Sequence, residues 1–172
     1  NFNMAAPKNS FKAALKNNRL QIGFWQSLSS ITTAEISAQV GFDWLLIDGE
    51  HAPNSVENIA NLLRVIDPSD SNAVVRVAAG ITHDIKQILD VGAQTILVPM
   101  VETAHQAQEM VRAVHYPPSG VRGAASITRA AKYGNISNYA ASANDEICLL
   151  VQAESQTALD NLESICAVEG VD

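Results

Sequence analysis

Cysteine occurs only twice in the 172 residues, at Cys148 and Cys166, too few for a disulfide framework. One lies in a predicted strand and the other on the apolar face of a predicted helix, so both are expected to be reduced core residues. Blocks of Lys or Arg are missing too. With a formal net charge of -7, neither nucleic acid nor an anionic membrane surface is an expected partner. No apolar run approaches the roughly 20 residues that span a bilayer. The N-terminus also lacks the charged-then-apolar layout of a secretory signal, which leaves a cytoplasmic location as the expectation.

Several catalytic signatures are absent as well. No G-x-G-x-x-G follows the first predicted strand, and there is no Walker loop. Without a G-x-S-x-G elbow or a Cys at a strand's carboxyl end, nucleophilic schemes have no starting point. Lys8, Lys12, Lys16, Lys86 and Lys132 all fall outside the predicted strands, so Schiff-base chemistry lacks a desolvated amine.

What is present is an ordinary globular sequence, 47% hydrophobic and 17% charged, read as a single domain over 1–172. Its central stretch runs from Trp44 to Asn54. Trp44-Leu45-Leu46-Ile47 leaves no room for a polar face and predicts a strand buried on both sides, as in parallel sheets covered by helices. The run then breaks into Asp48-Gly49-Glu50-His51 at the strand's carboxyl end, where parallel α/β proteins keep their chemistry. Further strands are expected at 21–25, 73–77, 95–101 and 148–154. The helices between them should start at Thr32-x-x-Glu35, Asn54-x-x-Glu57, Thr82 and Thr103-x-x-Gln106, with Ile36 and Val40 facing inward in the first. Residues 116–135 are rich in Pro, Gly and Ser, a loop long enough to suggest function. A final helix should carry Leu159, Leu162 and Ile165.

One junction recurs at Val40-Gly41-Phe42-Asp43, Val91-Gly92-Ala93-Gln94 and Glu169-Gly170-Val171-Asp172. The third copy announces a sixth strand. Five βα units and the start of another suggest a (β/α)8 TIM barrel. Because such barrels need ~250 residues, the sequence reads as roughly the first two-thirds of one, with Asn1-Phe2-Asn3 ahead of the natural start at Met4. An open doubly wound sheet is the alternative.

If the strands are parallel, Asp48, Glu50, His51, Arg76, Glu102, Gln152 and Glu154 share one rim. Gln152 and Glu154 are two apart on a strand and so face the same way. Arg76 ends an apolar strand and needs an anion, either a substrate carboxylate or enolate, or Asp48 as a structural partner. His51 suits a base that exchanges protons near neutral pH. Glu102 directly precedes a helix cap and is left as a structural group. Carboxylate, amide, imidazole and guanidinium around one cavity suit a divalent hard cation with few protein ligands and open positions.

The segments Trp44 to Asn54, Gln87 to Thr95, Val98-Pro99-Met100-Val101, Tyr116-Pro117-Pro118-Ser119-Gly120-Val121-Arg122-Gly123 and Leu150 to Ser155 closely resemble the HpcH/HpaI aldolase family. The resemblance implies a (β/α)8 barrel and metal-dependent class II cleavage of a 4-hydroxy-2-oxo acid to pyruvate and an aldehyde. By the same resemblance, His51 matches the catalytic base, Arg76 the group that stabilises the transition state and Gln152 a substrate-binding amide. Glu154 matches a ligand of Mg2+, Mn2+ or Co2+, and Asp90 an aspartate that raises the histidine's basicity. Spacing places Asp90 toward the opposite rim, which suggests that a neighbouring subunit supplies it. The resemblance further implies a homohexamer of dimers that exchange a C-terminal helix, and a second metal carboxylate in a Gly-Pro-x-Asp segment past the sixth strand. The N-terminal half looks most like enzymes acting on 4-hydroxy-2-oxoheptane-1,7-dioate, which is the substrate the resemblance implies first, with an aldehyde such as succinic semialdehyde as the second product. Ala153 to Leu162 looks more like the 2-keto-3-deoxy-L-rhamnonate branch, the alternative specificity. A non-catalytic barrel that only binds a partner is the reading from another class.

Overall fold

A computed structural model describes residues 5–172, so the expectation for Asn1-Phe2-Asn3 lies outside the described residues. Five strands, β1 (Gly23–Gln26), β2 (Trp44–Asp48), β3 (Asn72–Arg76), β4 (Thr95–Val98) and β5 (Cys148–Val151), form one parallel sheet in the order β1-β2-β3-β4-β5. Between them run α2 (Ile31–Val40), α3 (Val56–Ile66), α4 (Thr82–Asp90), α5 (Ala104–Val114) and α6 (Tyr139–Glu146), with α7 (Gln156–Asp160) and α8 (Leu162–Cys166) after β5. α1 (Ser10–Lys16) precedes the first strand. Each strand pairs with the next in sequence. That is barrel winding, because a doubly wound sheet reverses its strand order partway and carries helices on both faces.

Strand alternation sorts the core into two faces. Leu45, Ile47, Val75, Ile96, Val98 and Leu149 pack outward against Ile59, Leu63, Ile85, Leu89 and Met110 of the helices. Leu46, Val74 and Cys148 face inward with Trp44, Leu97 and Leu150, and α1 closes the lower end of that face with Phe11. The Phe11 ring meets Trp44 edge-on at 6.3 Å. Trp44 also explains Gly23 opposite it, since a Cβ there would lie 2.0 Å from the indole.

Several sequence expectations are corrected. Ser30, not Thr32, caps α2 by accepting from Thr33 N (3.3 Å), so Thr32 lies inside the helix and cannot box with Glu35. α2 turns Ala34, Ser37 and Ala38 inward, small residues that let it approach closely, and leaves Ile36 and Val40 exposed. Ser55 rather than Asn54 caps α3. Thr82 is the first residue of α4 and makes no cap bond. The last helix breaks at Asn161, and the new phase of α8 buries Ile165 while turning Cys166 outward. Leu159 and Leu162 are exposed as well.

Other expectations hold in detail. Thr103 and Gln106 form the reciprocal capping box of α5. Gly41, Gly92 and Gly170 all adopt left-handed backbone at the three repeated junctions (φ 98°, 111° and 99°), a conformation that glycine takes without steric cost. Asp172 N donates to Leu149 O (2.9 Å) while its carboxylate accepts from Leu149 N (3.0 Å). Asp43 makes the same pair of bonds to Ile22 at the first junction (2.8 Å each).

Candidate active site

The carboxyl ends of β2 and β3 are in register, with Asp48 opposite Arg76. Their alternation phase points both side chains inward, where the fork of Arg76 closes on the carboxylate. Nε donates to Oδ1 (2.9 Å) and Nη2 to Oδ2 (2.8 Å). The Asp48 carboxylate also accepts from the backbone N–H of Glu50 (3.0 Å) and His51 (3.2 Å) and from Trp25 Nε1 (3.2 Å). Burial pushes the Asp48 carboxyl upward, yet these bonds, Arg76 foremost, outweigh it and hold the group well below the usual carboxylate range. The hydrogen bonds to Asp48 likewise raise Arg76.

Beyond Asp48 the chain turns sharply. Gly49 N donates to Arg76 O (2.8 Å), and a Cβ at Gly49 would lie 2.6 Å from that oxygen, so the turn can be this tight only with glycine. Asn54 Nδ2 closes the turn onto Asp48 O (2.8 Å). The result is that Glu50 leans back over Arg76, with Oε2 3.0 Å from Nη1. The approach is not along an N–H direction, so this is an ion pair, and among the described residues Oε2 stays buried without a hydrogen bond. His51 stands beside Glu50, Nε2 to Oε1 3.6 Å, with its side chain 74% exposed.

On the other side of Arg76, Nη1 reaches Gln152 Oε1 (3.4 Å), and Gln152 Nε2 lies 3.5 Å from Glu154 Oε2. Glu154 Oε1 accepts from Met100 N (2.9 Å). His51, Glu50, Arg76, Gln152 and Glu154 thus form one continuous chain of groups along the rim. Of the two sequence readings of Arg76, the structure shows Asp48 as its structural partner, while Nη1 lies between Glu50 and Gln152.

Trp25 is a site residue that sequence reasoning passed over. It binds Asp48 through Nε1, and the Arg76 guanidinium lies 4.9 Å from its ring centroid, a cation–π contact that fixes the fork from the β1 side. The available signal was its phase, two residues after Gly23 on the inward face of β1. Glu102 is structural as expected: its Oε1 accepts from Ser155 Oγ (2.6 Å) and its carbonyl from Asn161 Nδ2 (2.9 Å).

Asp90 is not brought to this rim. It ends α4, a helix that returns to the amino ends of the strands, and its Oδ1 accepts from the buried Arg122 Nη2 (2.9 Å). Arg122 in turn stacks 4.3 Å from the Tyr116 ring centroid. Burial pushes the Tyr116 hydroxyl up to about 12. A cavity of about 740 Å³ opens at that same lower end, between Asn72, Thr95, Arg129 and Tyr139. A smaller one of about 280 Å³ adjoins the rim between Glu50, Gly80, Met100 and Met110.

For a metal ion, the rim offers the hard carboxylate oxygens of Glu154 with the Gln152 amide beside them, whereas Glu50 Oε2 is paired with Arg76. That chemistry fits a hard divalent cation in an open site. Among the described residues, no group of three His, Cys, Asp or Glu is arranged to enclose one, so water or substrate would have to complete the shell.

The family model for HpcH/HpaI aldolase/citrate lyase matches residues 21–172. The 2-keto-3-deoxy-L-rhamnonate aldolase of Escherichia coli (strain K12) is 53% identical over 165 residues, covering 95% of this chain and 62% of that relative. The chain therefore spans less than two-thirds of the curated relatives it matches. A crystal structure of an HpcH/HpaI aldolase/citrate lyase family protein from Burkholderia cenocepacia J2315 superposes with a TM-score of 0.94 at 40% identity, covering 96% of this chain and 67% of that one. The HpcH/HpaI aldolase of Desulfitobacterium hafniense DCB-2 gives 0.84 at 28% identity, covering 94% and 63%. With the winding, the rim and this match across nearly all of the described residues, the chain belongs to the HpcH/HpaI aldolase/citrate lyase family.

Proposed function

We propose that the protein is a carbon–carbon lyase that cleaves a 4-hydroxy-2-oxo acid to pyruvate and an aldehyde, acting with a divalent cation held through Glu154. The observation that carries this reading is the unbroken run of His51, Glu50, Arg76, Gln152 and Glu154 along one rim. A bound cation supplies Lewis acidity at the substrate's 2-oxo oxygen. His51, exposed at the rim, takes the proton from the C4 hydroxyl. The electrons of that O–H bond form the aldehyde carbonyl, and the C3–C4 pair moves to C3 to give the pyruvate enolate. Arg76 Nη1 stabilises the developing negative oxygen, and its long bond to Gln152 is the one that substrate would replace. Asp48 and Trp25 keep the guanidinium from turning, so little reorganisation is needed when charge develops.

The preferred substrate is 2-keto-3-deoxy-L-rhamnonate or a close analogue, with 4-hydroxy-2-oxoheptane-1,7-dioate as the second reading. Identity of 53% to a 2-keto-3-deoxy-L-rhamnonate aldolase supports this order. Asp90 enters only across a subunit boundary, since within one chain it is bound to Arg122 at the other end.

Pyruvate release measured with Mg2+ or Mn2+ and each substrate tests the reading. Release from the deoxyrhamnonate that stops on adding EDTA is the expected result. Release that persists in EDTA, or none from either substrate, would overturn it.

A further inference from the structure

β4 does not continue its ladder regularly past Val98. In a regular parallel ladder one residue donates to, and accepts from, two residues that are two positions apart on its neighbour. Gln152 donates from its N–H to Val98 O (2.9 Å) but accepts at its carbonyl from Val101 N (3.2 Å), three positions on. One extra residue is therefore looped out between Val98 and Val101. Pro99 has no N–H to offer. Met100 adopts left-handed backbone (φ 54°), a conformation rare for a residue other than Gly, Asn or Asp, and its N–H leaves the ladder to bind Glu154 Oε1 (2.9 Å).

Resting on the cation reading of Glu154 above, we infer that this bulge is a positioning device and that Met100 is a positioning residue acting through its backbone. Its N–H occupies one oxygen of Glu154 and fixes the plane of the carboxylate. Among the described residues, the other oxygen, Oε2, has only the 3.5 Å approach of Gln152 Nε2 and is left toward the hollow for an ion. The Met100 side chain is exposed, so its contribution lies in the conformation and not in packing.

The inference separates variants by backbone preference, not by size or polarity. Met100→Gly and Met100→Asn tolerate positive φ and keep the N–H, whereas the β-branched Met100→Val does not. Mn2+ binding followed by electron paramagnetic resonance should weaken about tenfold or more in Met100→Val, the size typical of losing a group that orients a metal ligand, and stay within about twofold in the other two. Equal binding in all variants, or equal loss in Gly and Val, would overturn it. A metal-free arm uses amide hydrogen exchange by NMR. The Met100 N–H should exchange faster in Glu154→Ala than in the parent protein, and unchanged exchange would refute the positioning role. If the parent protein binds no Mn2+, the cation reading of Glu154 fails, and the exchange result decides the positioning claim alone.

Discussion

Arg76 and Asp48 are each held by more partners than a surface pair would have, and the two substitutions should separate chemistry from stability. Arg76→Ala removes the charge facing the proposed enolate and should lower pyruvate release by ~10²-fold, the size typical for one such donor. Turnover close to that of the parent protein would remove Arg76 from the mechanism. Asp48→Asn leaves Arg76 with Glu50 as its remaining close carboxylate, beside an open rim where water softens the cost. A loss of about 2–3 kcal/mol in urea unfolding is expected, below the 3–5 kcal/mol of a fully interior pair. The two cysteines give a third residue-level test. Cys148 sits on the inner face of β5, and burial, with Asp172 nearby, pushes its thiol up to about 12. Cys166 is exposed. A thiol reagent at neutral pH should therefore label Cys166 alone in the folded protein and both cysteines in denaturant. Labelling of Cys148 under native conditions would contradict the inner-face placement.

Elements were legible wherever a single physical pattern set them. The unbroken apolar runs of β2 and β4 could only be buried strands, and the repeated Gly junctions marked three helix ends because left-handed backbone favours glycine. α2 was misread because its packing face is built from small residues, which carry little hydropathy, while its large apolar ones are exposed. The Asp48, Glu50 and Arg76 cluster followed from strand ends sharing one rim. Trp25 and the Met100 bulge did not, since a Trp in a strand announces no polar role and Met has no preference for positive φ. α1, legible as a short helix over residues 9–18, is held by one side chain whose tethering role the sequence did not announce. Asn9 caps it by accepting from Lys12 N (3.0 Å), while Nδ2 donates to Thr95 Oγ1 and Glu146 O (3.0 Å each). Asn9→Ala should thus cost about 2 kcal/mol, a cap plus buried acceptors left without donors, whereas Asn9→Ser restores only the cap. Equal stability of the Ala and Ser variants by thermal unfolding would mean that the tether to β4 and β5, not the cap, carries the effect.

At the scale of the whole molecule, both ends of the sheet are fastened by carboxylates held ionised. Asp48 does this at the upper rim. At the lower end burial pushes Glu146 up, but the Lys8 ammonium and the Asn9 N–H (2.8 Å) bring it below its ordinary value. Both folded values lie under the unfolded ones, so the stabilisation is complete above the usual carboxylate range of about 4 and is lost as pH falls through the depressed values. The net charge of -7 works in the other direction. Its self-repulsion is relieved as pH drops toward the isoelectric point near 5.0. The Tm should accordingly hold or rise slightly between about pH 7 and pH 5, then fall steeply below about pH 4 as both fastenings are protonated. In Asp48→Asn the acid limb should be shallower, because one of the two groups no longer titrates. A Tm that already declines between neutrality and the isoelectric point would show that a group with a depressed value in that window, such as His115, whose imidazole burial pushes down, governs the response there instead of these two carboxylates.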